Sequence, residues 1–191
     1  MVQNEGRPQA FQQGASAIAQ LGGKEPAEHS APAQTTQHIR LDRNEGFWRG
    51  VYEHPEVKPH VSFGYDIDLA DLLGNEWVTP LRAEHGGFFF VRLDGLGRVH
   101  ELHTLFTPEG WGREVLNALK AAVEHMFQNG AQIITTYDVE GHWRSRPPKT
   151  FRFEPAGDFA ATELGPRLRS WVLTRNAWEA SPARQRMVIC L

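Results

Sequence analysis

Cysteine is nearly absent from this sequence: Cys190 is the only one among 191 residues. A single cysteine excludes an internal disulfide bond and any metal cluster that is built from several cysteines. It is consistent with a reducing compartment. The sequence also lacks an apolar run of about 20 residues, which a membrane span needs, and a charged-then-apolar signal pattern at its N-terminus. We therefore expect a cytoplasmic protein that has no membrane partner.

A large excess of charge of either sign is missing as well. The formal net charge is -3, which disfavours nucleic acid as a partner because strong binding to phosphates needs many cations. Hydrophobic residues make up 40% and charged residues 23% of the chain, as in ordinary globular enzymes and binding domains. The length predicts one main domain with a sizeable core.

Aromatic residues are scarce near the N-terminus. Residues 1–37 are rich in Gln, Ala, Gly and Pro, and Phe11 is their only aromatic residue. Such a composition buries too little apolar surface to offset the loss of chain entropy. We predict a disordered tail over residues 1–37, and the alternative is a short helix around residues 15–21 that docks on a partner.

From residue 38 onward, apolar periodicity and turn residues predict regular elements. Two runs of aromatic and branched residues flank the turn "GLG", which predicts an antiparallel hairpin. Apolar residues from Trp111 to Phe127 recur at helical spacing and predict a long helix that ends at Asn129 and Gly130. In chain order we predict two short helices (44–57 and 66–75), the hairpin (86–106), the long helix, a buried strand (131–139), a basic irregular segment (142–153) and a last strand (170–178).

The stretch "FTPEGWGREVL" joins the hairpin to the long helix and contains two glycines, Gly110 and Gly112. A Walker phosphate loop is excluded because Arg113 and Glu114, rather than Lys and Ser or Thr, follow the last glycine. The dinucleotide fingerprint is excluded because Val115 stands where its third glycine belongs. Two interpretations remain open. The helix start receives a diphosphate, or Thr107 and Pro108 simply cap it.

The order of hairpin, x-x-x-Gly-x-Gly, long amphipathic helix and buried strand resembles the GNAT superfamily of acyl-CoA N-acyltransferases. "FRFEPAGDF" is similar to the segment that leads into the sixth strand of those proteins, and "VYEHPEVKPHV" resembles GNAT-like proteins of bacteriophages. The resemblance implies an α/β (α+β) fold: a mixed, mostly antiparallel sheet with splayed central strands and helices on both faces. It implies a GNAT-like domain at residues 38–180, followed by a C-terminal extension at residues 181–191.

The resemblance also implies the activity, which is transfer of an acetyl group from acetyl-CoA to a primary amine of a small molecule or protein. No metal is expected. The fourth-strand backbone would bind pantetheine, the loop amides would bind the diphosphate, and two arginines of the basic segment would contact phosphate. A solvated basic face and nucleic-acid contact are the alternatives for those arginines. The expected cofactor-binding residues are Leu105, Phe106, Thr107, Glu109, Gly110, Trp111, Gly112, Arg113, Arg144 and Arg146.

Two candidate catalytic residues, Glu101 and His103, lie two apart on the strand before the loop and therefore on one face. Either could accept the proton of the amine, directly or through water. The alternative is that both are solvent-facing polar residues. Tyr137 on the following strand is a weaker candidate for the acid. His100 and His103 point to opposite faces of their strand, so a shared metal ion is disfavoured.

The sequence departs from the GNAT pattern at three positions. Thr107 replaces the usual Gln or Arg, Arg152 replaces the Gly before Phe153, and Pro148 stands where many members carry a general-acid Tyr. These departures motivate an alternative function: a catalytically weak or inactive GNAT-fold phage protein that acts as an interaction or virion-associated component. The N-terminal tail would then tether a structural partner, and a homodimer is a further possibility.

Overall fold

The computed structural model describes residues 39–61, 66–139, 147–160 and 167–188. The chain divides into two units, residues 1–35 and 36–191, and all described residues lie in the second. The tail predicted over residues 1–37 lies outside the described residues. The strands are β1 (Arg40–Leu41), β2 (Val78–Arg82), β3 (Gly86–Arg92), β4 (Val99–Phe106), β5 (Ile133–Val139), β6 (Glu154–Ala160) and β7 (Arg167–Thr174). The helices are α1 (Glu45–Tyr52), α2 (Lys58–Val61), α3 (Leu69–Gly74), α4 (Arg113–Gln128), α5 (Arg175–Glu179) and α6 (Pro182–Val188).

Side-chain caps start the two early helices that the sequence predicts. Asn44 accepts a hydrogen bond from the Phe47 amide at the start of α1, and Asp68 accepts one from the Asp71 amide at the start of α3. Such caps satisfy amides that have no partner within the helix. Both predicted helices are confirmed, and Asp68 rather than Asp66 is the cap of the second.

The seven strands form one sheet in the order β1-β2-β3-β4-β5-β7-β6. Every neighbouring pair is antiparallel except β4 and β5, which are parallel. The β4–β5 register ends after three pairs, at Glu101 opposite Thr135, although both strands continue. The central strands therefore separate beyond this pair, and the predicted mixed, mostly antiparallel sheet with splayed central strands is confirmed.

Helices cover both faces of the sheet and create two apolar clusters. On one face, α4 contributes Val123 and Phe127, and the C-terminal helices contribute Trp178 and Ala183. On the other face, α1 and α3 pack Trp48 and other apolar side chains against β2, β3 and β4. Full burial of a large apolar side chain contributes about 1.5–3 kcal/mol, so these clusters account for much of the stability of the fold.

The long helix is shorter than predicted at its N-terminus. α4 begins at Arg113, and Trp111 lies before the helix with 37% of its surface exposed. Leu116, which the sequence assigns to the apolar face, is 40% exposed. The helical period places Ala118, Leu119, Ala122, Val123, Met126 and Phe127 in the core as predicted. In the first turn, Val115 still packs against the core, whereas Leu116 does not.

The C-terminal part of the chain differs from its prediction. The last strand ends at Thr174, whose side chain caps α5 by accepting from the Ala177 amide, so the predicted strand over residues 175–178 is wrong. α6 lies in the segment that the sequence sets apart as an extension, yet Ala183 is buried in the main core. Among the described residues, no helix is both long and apolar enough to span a membrane.

Candidate functional site

The separation of β4 from β5 creates a fork, which we define as the gap between the two strands beyond the Glu101–Thr135 pair. Side-chain hydroxyls replace strand pairing at its apex: Thr136 Oγ1 donates to the Leu102 carbonyl at 2.9 Å. From Leu102 to Phe106, no described strand pairs with the β4 edge that faces β5. The backbone groups on this edge are therefore free of strand partners, as a site for an extended ligand requires.

Three polar side chains meet on one face of the fork. His103 Nε2 lies 2.7 Å from Glu101 Oε1, and the Tyr137 hydroxyl donates to Glu101 Oε2 at 3.2 Å. The Glu101 side chain is 19% exposed, whereas that of His103 is 51% exposed. Phe159 of β6 packs edge-on against Tyr137, at a distance of 5.2 Å between ring centroids. The structure thus joins both predicted catalytic residues and adds Tyr137 to them.

Hydrogen bonding keeps Glu101 ionised. The hydrogen bond from His103 lowers the pKa of the Glu101 carboxyl; burial opposes this shift, while the charge of His103 and the Tyr137 hydroxyl reinforce it. Burial, followed by the nearby charge of Glu101, raises the pKa of Tyr137. Because a carboxylate of lowered pKa is a weak base, Glu101 is better suited to orient His103 than to accept a proton.

His100 faces the opposite side of β4, as the sequence predicts. It is 6% exposed, and burial lowers its pKa so that the neutral ring is favoured. Since His100 and His103 lie on different faces, they do not share a ligand. Among the described residues, one group, Glu84, His85 and Glu114, brings three possible metal-ligand atoms within 4.8 Å of one another. The expectation that no metal is needed stays a prediction.

The glycine loop, defined as residues 107–112, connects β4 to α4. Thr107 precedes a short 3-10 turn (Pro108–Gly110) with proline at its start, and its side chain does not cap this turn. Gly112 occupies the cap position of α4, and no side chain caps that helix. The amides of Arg113, Glu114 and Val115 in the first turn thus have no partner within the helix. The interpretation that Thr107 and Pro108 cap the long helix is wrong for α4.

The two glycines of the loop are required for different reasons. Gly112 has φ 89°, a left-handed conformation that favours glycine, and a Cβ at this position would meet nothing within 4 Å. A Cβ on Gly110 would lie 2.7 Å from Phe106 Cδ1 and 3.1 Å from His85 Cβ. Gly110 is therefore needed for close packing within the protein, whereas only Gly112 borders open space.

The other expected cofactor residues lie around this loop. Leu105 and Phe106 are buried at the end of β4, and Phe106 offers its carbonyl to Trp111 Nε1 at 3.1 Å. Glu109 and Arg113 are exposed, and a hydrogen bond from Thr107 lowers the pKa of Glu109. Arg144 and Arg146 lie outside the described residues, so their contact with phosphate stays a prediction.

Sequence reasoning missed His85, which lies in the turn between β2 and β3. Its carbonyl accepts the Thr107 amide at 2.9 Å, and its Nδ1 lies 2.7 Å from Glu114 Oε2. Nothing in "AEHGG" marks this histidine, because its partners are 22 and 29 residues away in the sequence. Only the close approach of two turns in the folded chain brings these residues together.

Comparison with known proteins gives a likeness of fold. No protein-family model matches the sequence, and no curated protein matches it. A mutant of the spermidine N-acetyltransferase SpeG from Vibrio cholerae superposes with a TM-score of 0.60 at 12% identity, over 76% of this chain and 97% of that one. A probable GNAT-family acetyltransferase from Chromobacterium violaceum gives a TM-score of 0.60 at 12% identity, over 74% of this chain and 90% of that one.

A third similar structure was solved with its cofactor. AAC(6')-Ib, an aminoglycoside acetyltransferase in complex with acetyl-CoA, has a TM-score of 0.58 at 20% identity, over 75% of this chain and 96% of that one. All three likenesses span nearly the whole of the other protein at low identity, so what they establish is architecture. This chain has the fold of the GNAT acetyltransferases.

Proposed function

We propose that this protein transfers an acetyl group from acetyl-CoA to a primary amine. The observation that carries the proposal is the fork. One wall holds the Glu101–His103–Tyr137 cluster, and β4 then leads into the uncapped start of α4. At about 3.3 Å per residue, Phe106 lies roughly 10 Å beyond His103 along the strand. Acceptor chemistry and diphosphate binding therefore have separate positions along one strand.

The residues of the loop fit a coenzyme that carries a diphosphate. The first amides of α4 point away from the helix with the positive end of the helix dipole behind them. Gly112 leaves open space beside these amides because it has no side chain. The Leu102 and Phe106 carbonyls accept from Thr136 and Trp111, so the backbone groups that remain on this unpaired edge of β4 would hold the pantetheine arm. AAC(6')-Ib, which has the same fold, was solved with acetyl-CoA and with coenzyme A.

His103 would act as the base. A primary amine is protonated at neutral pH and must lose a proton before it attacks a carbonyl. Nε2 of His103 is engaged by Glu101, so Nδ1 is the ring nitrogen that is left to accept this proton. Acetyl-CoA supplies the acetyl group as a thioester. The amine forms the new C–N bond, the C–S bond breaks, and the leaving thiolate takes the proton that the new amide nitrogen loses.

Glu101 and Tyr137 would position the base. The Glu101 carboxylate fixes the His103 ring and stabilises the imidazolium that forms when the proton is taken. Tyr137 holds the second carboxylate oxygen, and its raised pKa suits it to donate this hydrogen bond rather than to release a proton. An amine acceptor is supported by the Glu101 carboxylate and by Phe159, which is 42% exposed beside Tyr137, because carboxylates and aromatic faces attract ammonium groups.

Release of the CoA thiol tests the activity. With acetyl-CoA and a panel of polyamines, aminoglycosides and protein amines, we expect turnover of at least one acceptor. His103→Ala should lower kcat/KM by about 100- to 10,000-fold because a general base is lost. Glu101→Gln should lower kcat with little change in KM for acetyl-CoA. His125→Ala, which removes an exposed histidine at the far end of α4, is the control and should leave kcat unchanged. A kcat/KM that is unchanged in His103→Ala would contradict the assignment.

A second candidate is a protein of this fold with little or no catalysis that serves as an interaction or virion-associated component. Trp111 favours it, since its indole binds the Phe106 carbonyl at the place where the coenzyme would lie. Thr107 in place of Gln or Arg favours it as well. Coenzyme binding without release of thiol across the whole acceptor panel would support this candidate over the enzyme.

A further inference from the structure

His85 forms hydrogen bonds at both ends of the glycine loop. Before the loop, its carbonyl accepts hydrogen bonds from the amide and the hydroxyl of Thr107, at 2.9 and 3.3 Å. After the loop, its amide and its ring Nδ1 bind the two oxygens of Glu114, at 3.0 and 2.7 Å. One residue of the β2–β3 turn thus binds both the start of the loop and the first turn of the helix that follows it.

The loop packs closely over this contact. A Cβ on Gly110 would lie 3.1 Å from His85 Cβ and 3.4 Å from Glu114 Oε2, so the loop backbone lies directly against the pair. The Glu114 side chain is 14% exposed and that of His85 is 39% exposed. The carboxylate is therefore largely enclosed, while the imidazole still exchanges protons with solvent.

The position of Glu114 creates an electrostatic conflict for a bound diphosphate. Glu114 lies in the first turn of α4, where a carboxylate can accept hydrogen bonds from the free helix amides and where a diphosphate would bind. A free carboxylate would compete for these amides and repel the phosphates. His85 engages both carboxylate oxygens, and in its protonated form it also cancels the charge of Glu114.

We propose that His85 is a proton-sensitive positioning residue: protonated His85 holds and neutralises Glu114, which leaves the start of α4 free for the coenzyme diphosphate. This inference rests on the proposed function, because it concerns regulation of the same coenzyme site. Loss of the proton leaves the carboxylate uncompensated, and coenzyme binding weakens.

The charges around His85 all favour its protonated form. Glu114 faces it from α4, Glu109 from the 3-10 turn and Glu84 from its own turn. The hydrogen bond with Glu114 raises the pKa of His85 above its usual value of 6.5; burial opposes the shift, and the three carboxylates add to it. Since the pKa is raised, the effect on binding is fully present below 6.5 and is lost as the pH rises through the higher value.

Calorimetry of coenzyme A binding between about pH 6 and pH 9, across the titration range of histidine, tests this inference. Wild-type affinity should fall about two- to ten-fold as the pH rises, relative to His85→Gln. The variant keeps a donor for Glu114 but carries no charge, so its pH profile reports only the ionisation of the ligand phosphates. At low pH, His85→Gln should bind about two- to ten-fold more weakly than wild type.

The variant Glu114→Gln distinguishes the effect of the Glu114 charge on coenzyme affinity from an effect of altered loop structure. Combined with His85→Gln it should restore wild-type affinity, because the competing charge is gone. Pantetheine, which has no diphosphate, should bind all variants equally. Identical pH profiles for wild type and His85→Gln, or no recovery in the double variant, would overturn the inference while coenzyme binding persists. Absence of coenzyme A binding to the wild type at every pH would overturn the proposed function, and this inference with it.

Discussion

At the scale of the residue, Arg152 has a conformation that does not suit its side chain. Its φ is 64°, and it is the one non-glycine residue with positive φ among those described. It ends a short 3-10 turn (Lys149–Phe151) just before β6. The backbone here suits glycine, which is the residue that the resemblance to GNAT proteins leads one to expect at this position.

We expect Arg152→Gly to stabilise the protein. A left-handed conformation costs an ordinary residue about 1–2 kcal/mol, and the greater flexibility of glycine in the unfolded chain returns part of this gain. The free energy of unfolding in urea should therefore rise by about 0.5–1 kcal/mol. Lys149→Gly, three residues earlier and without positive φ, is the matched control and should not stabilise. A decrease in stability for Arg152→Gly would show that the arginine makes contacts worth more than the strain.

At the scale of the element, a partly buried carboxylate joins α4 to the C-terminal helices. Glu124 of α4 accepts hydrogen bonds from Trp178 Nε1 at 2.6 Å and from Arg184 Nε at 3.0 Å. Burial raises the pKa of Glu124. These hydrogen bonds and the charge of Arg184 lower the pKa by a larger amount, so the net shift is downward. α5 and α6 are thus held to the core by a polar contact as well as by apolar packing.

Replacing Glu124 should destabilise the protein in a pH-dependent way. Glu124→Gln should lower the free energy of unfolding by about 1–3 kcal/mol near neutral pH, because hydrogen bonds to a charged group are lost. Since the folded pKa is below the usual 4.5, this contribution is present above 4.5 and is lost as the pH falls through the folded value. Urea unfolding at a series of pH values measures it, with exposed Glu76→Gln as the control. A difference that stays constant down to pH 2 would contradict the ionised role of Glu124.

Local patterns identify some elements of this fold and fail for others. The hairpin, α4 and β5 have runs long enough for their periodicity to be visible in the sequence. β2 is not predicted from the sequence because Pro80 lies inside it and buried and exposed residues do not alternate along it. The predicted last strand runs too far because "RNAW" is as compatible with a strand as with the helix that Thr174 caps. Capping by a single side chain decides such boundaries, and composition does not reveal it.

At the scale of the whole molecule, the candidate site combines residues that the sequence keeps apart. Glu101 and His103 were predictable because their spacing on one strand fixes their face. The contact of Glu101 with Tyr137 spans 36 residues, and that of His85 with Glu114 spans 29. These contacts depend on the parallel pairing of β4 with β5 and on the approach of two turns. Sequence periodicity contains neither kind of information, so these two contacts emerge only from the fold.

The fold also explains why the two halves of the proposed reaction can be tested separately. Acceptor chemistry is assigned to the Glu101–His103 pair in the fork, and coenzyme binding to the start of α4 and the open edge of β4. A change in the first should alter kcat, and a change in the second should alter coenzyme affinity. The central claim is that both sites belong to one continuous ligand path along β4.

Mapping of backbone amide shifts by NMR during titration with coenzyme A tests this claim most directly. We expect saturable shifts at two groups of amides, those of residues 112–115 and those of residues 102–106, and the second group should also respond to pantetheine alone. Gly112→Val should abolish the shifts at residues 112–115, because a branched side chain fills the open space and does not suit φ 89°. Absence of shifts at millimolar coenzyme A, or shifts confined to other parts of the described structure, would contradict the account.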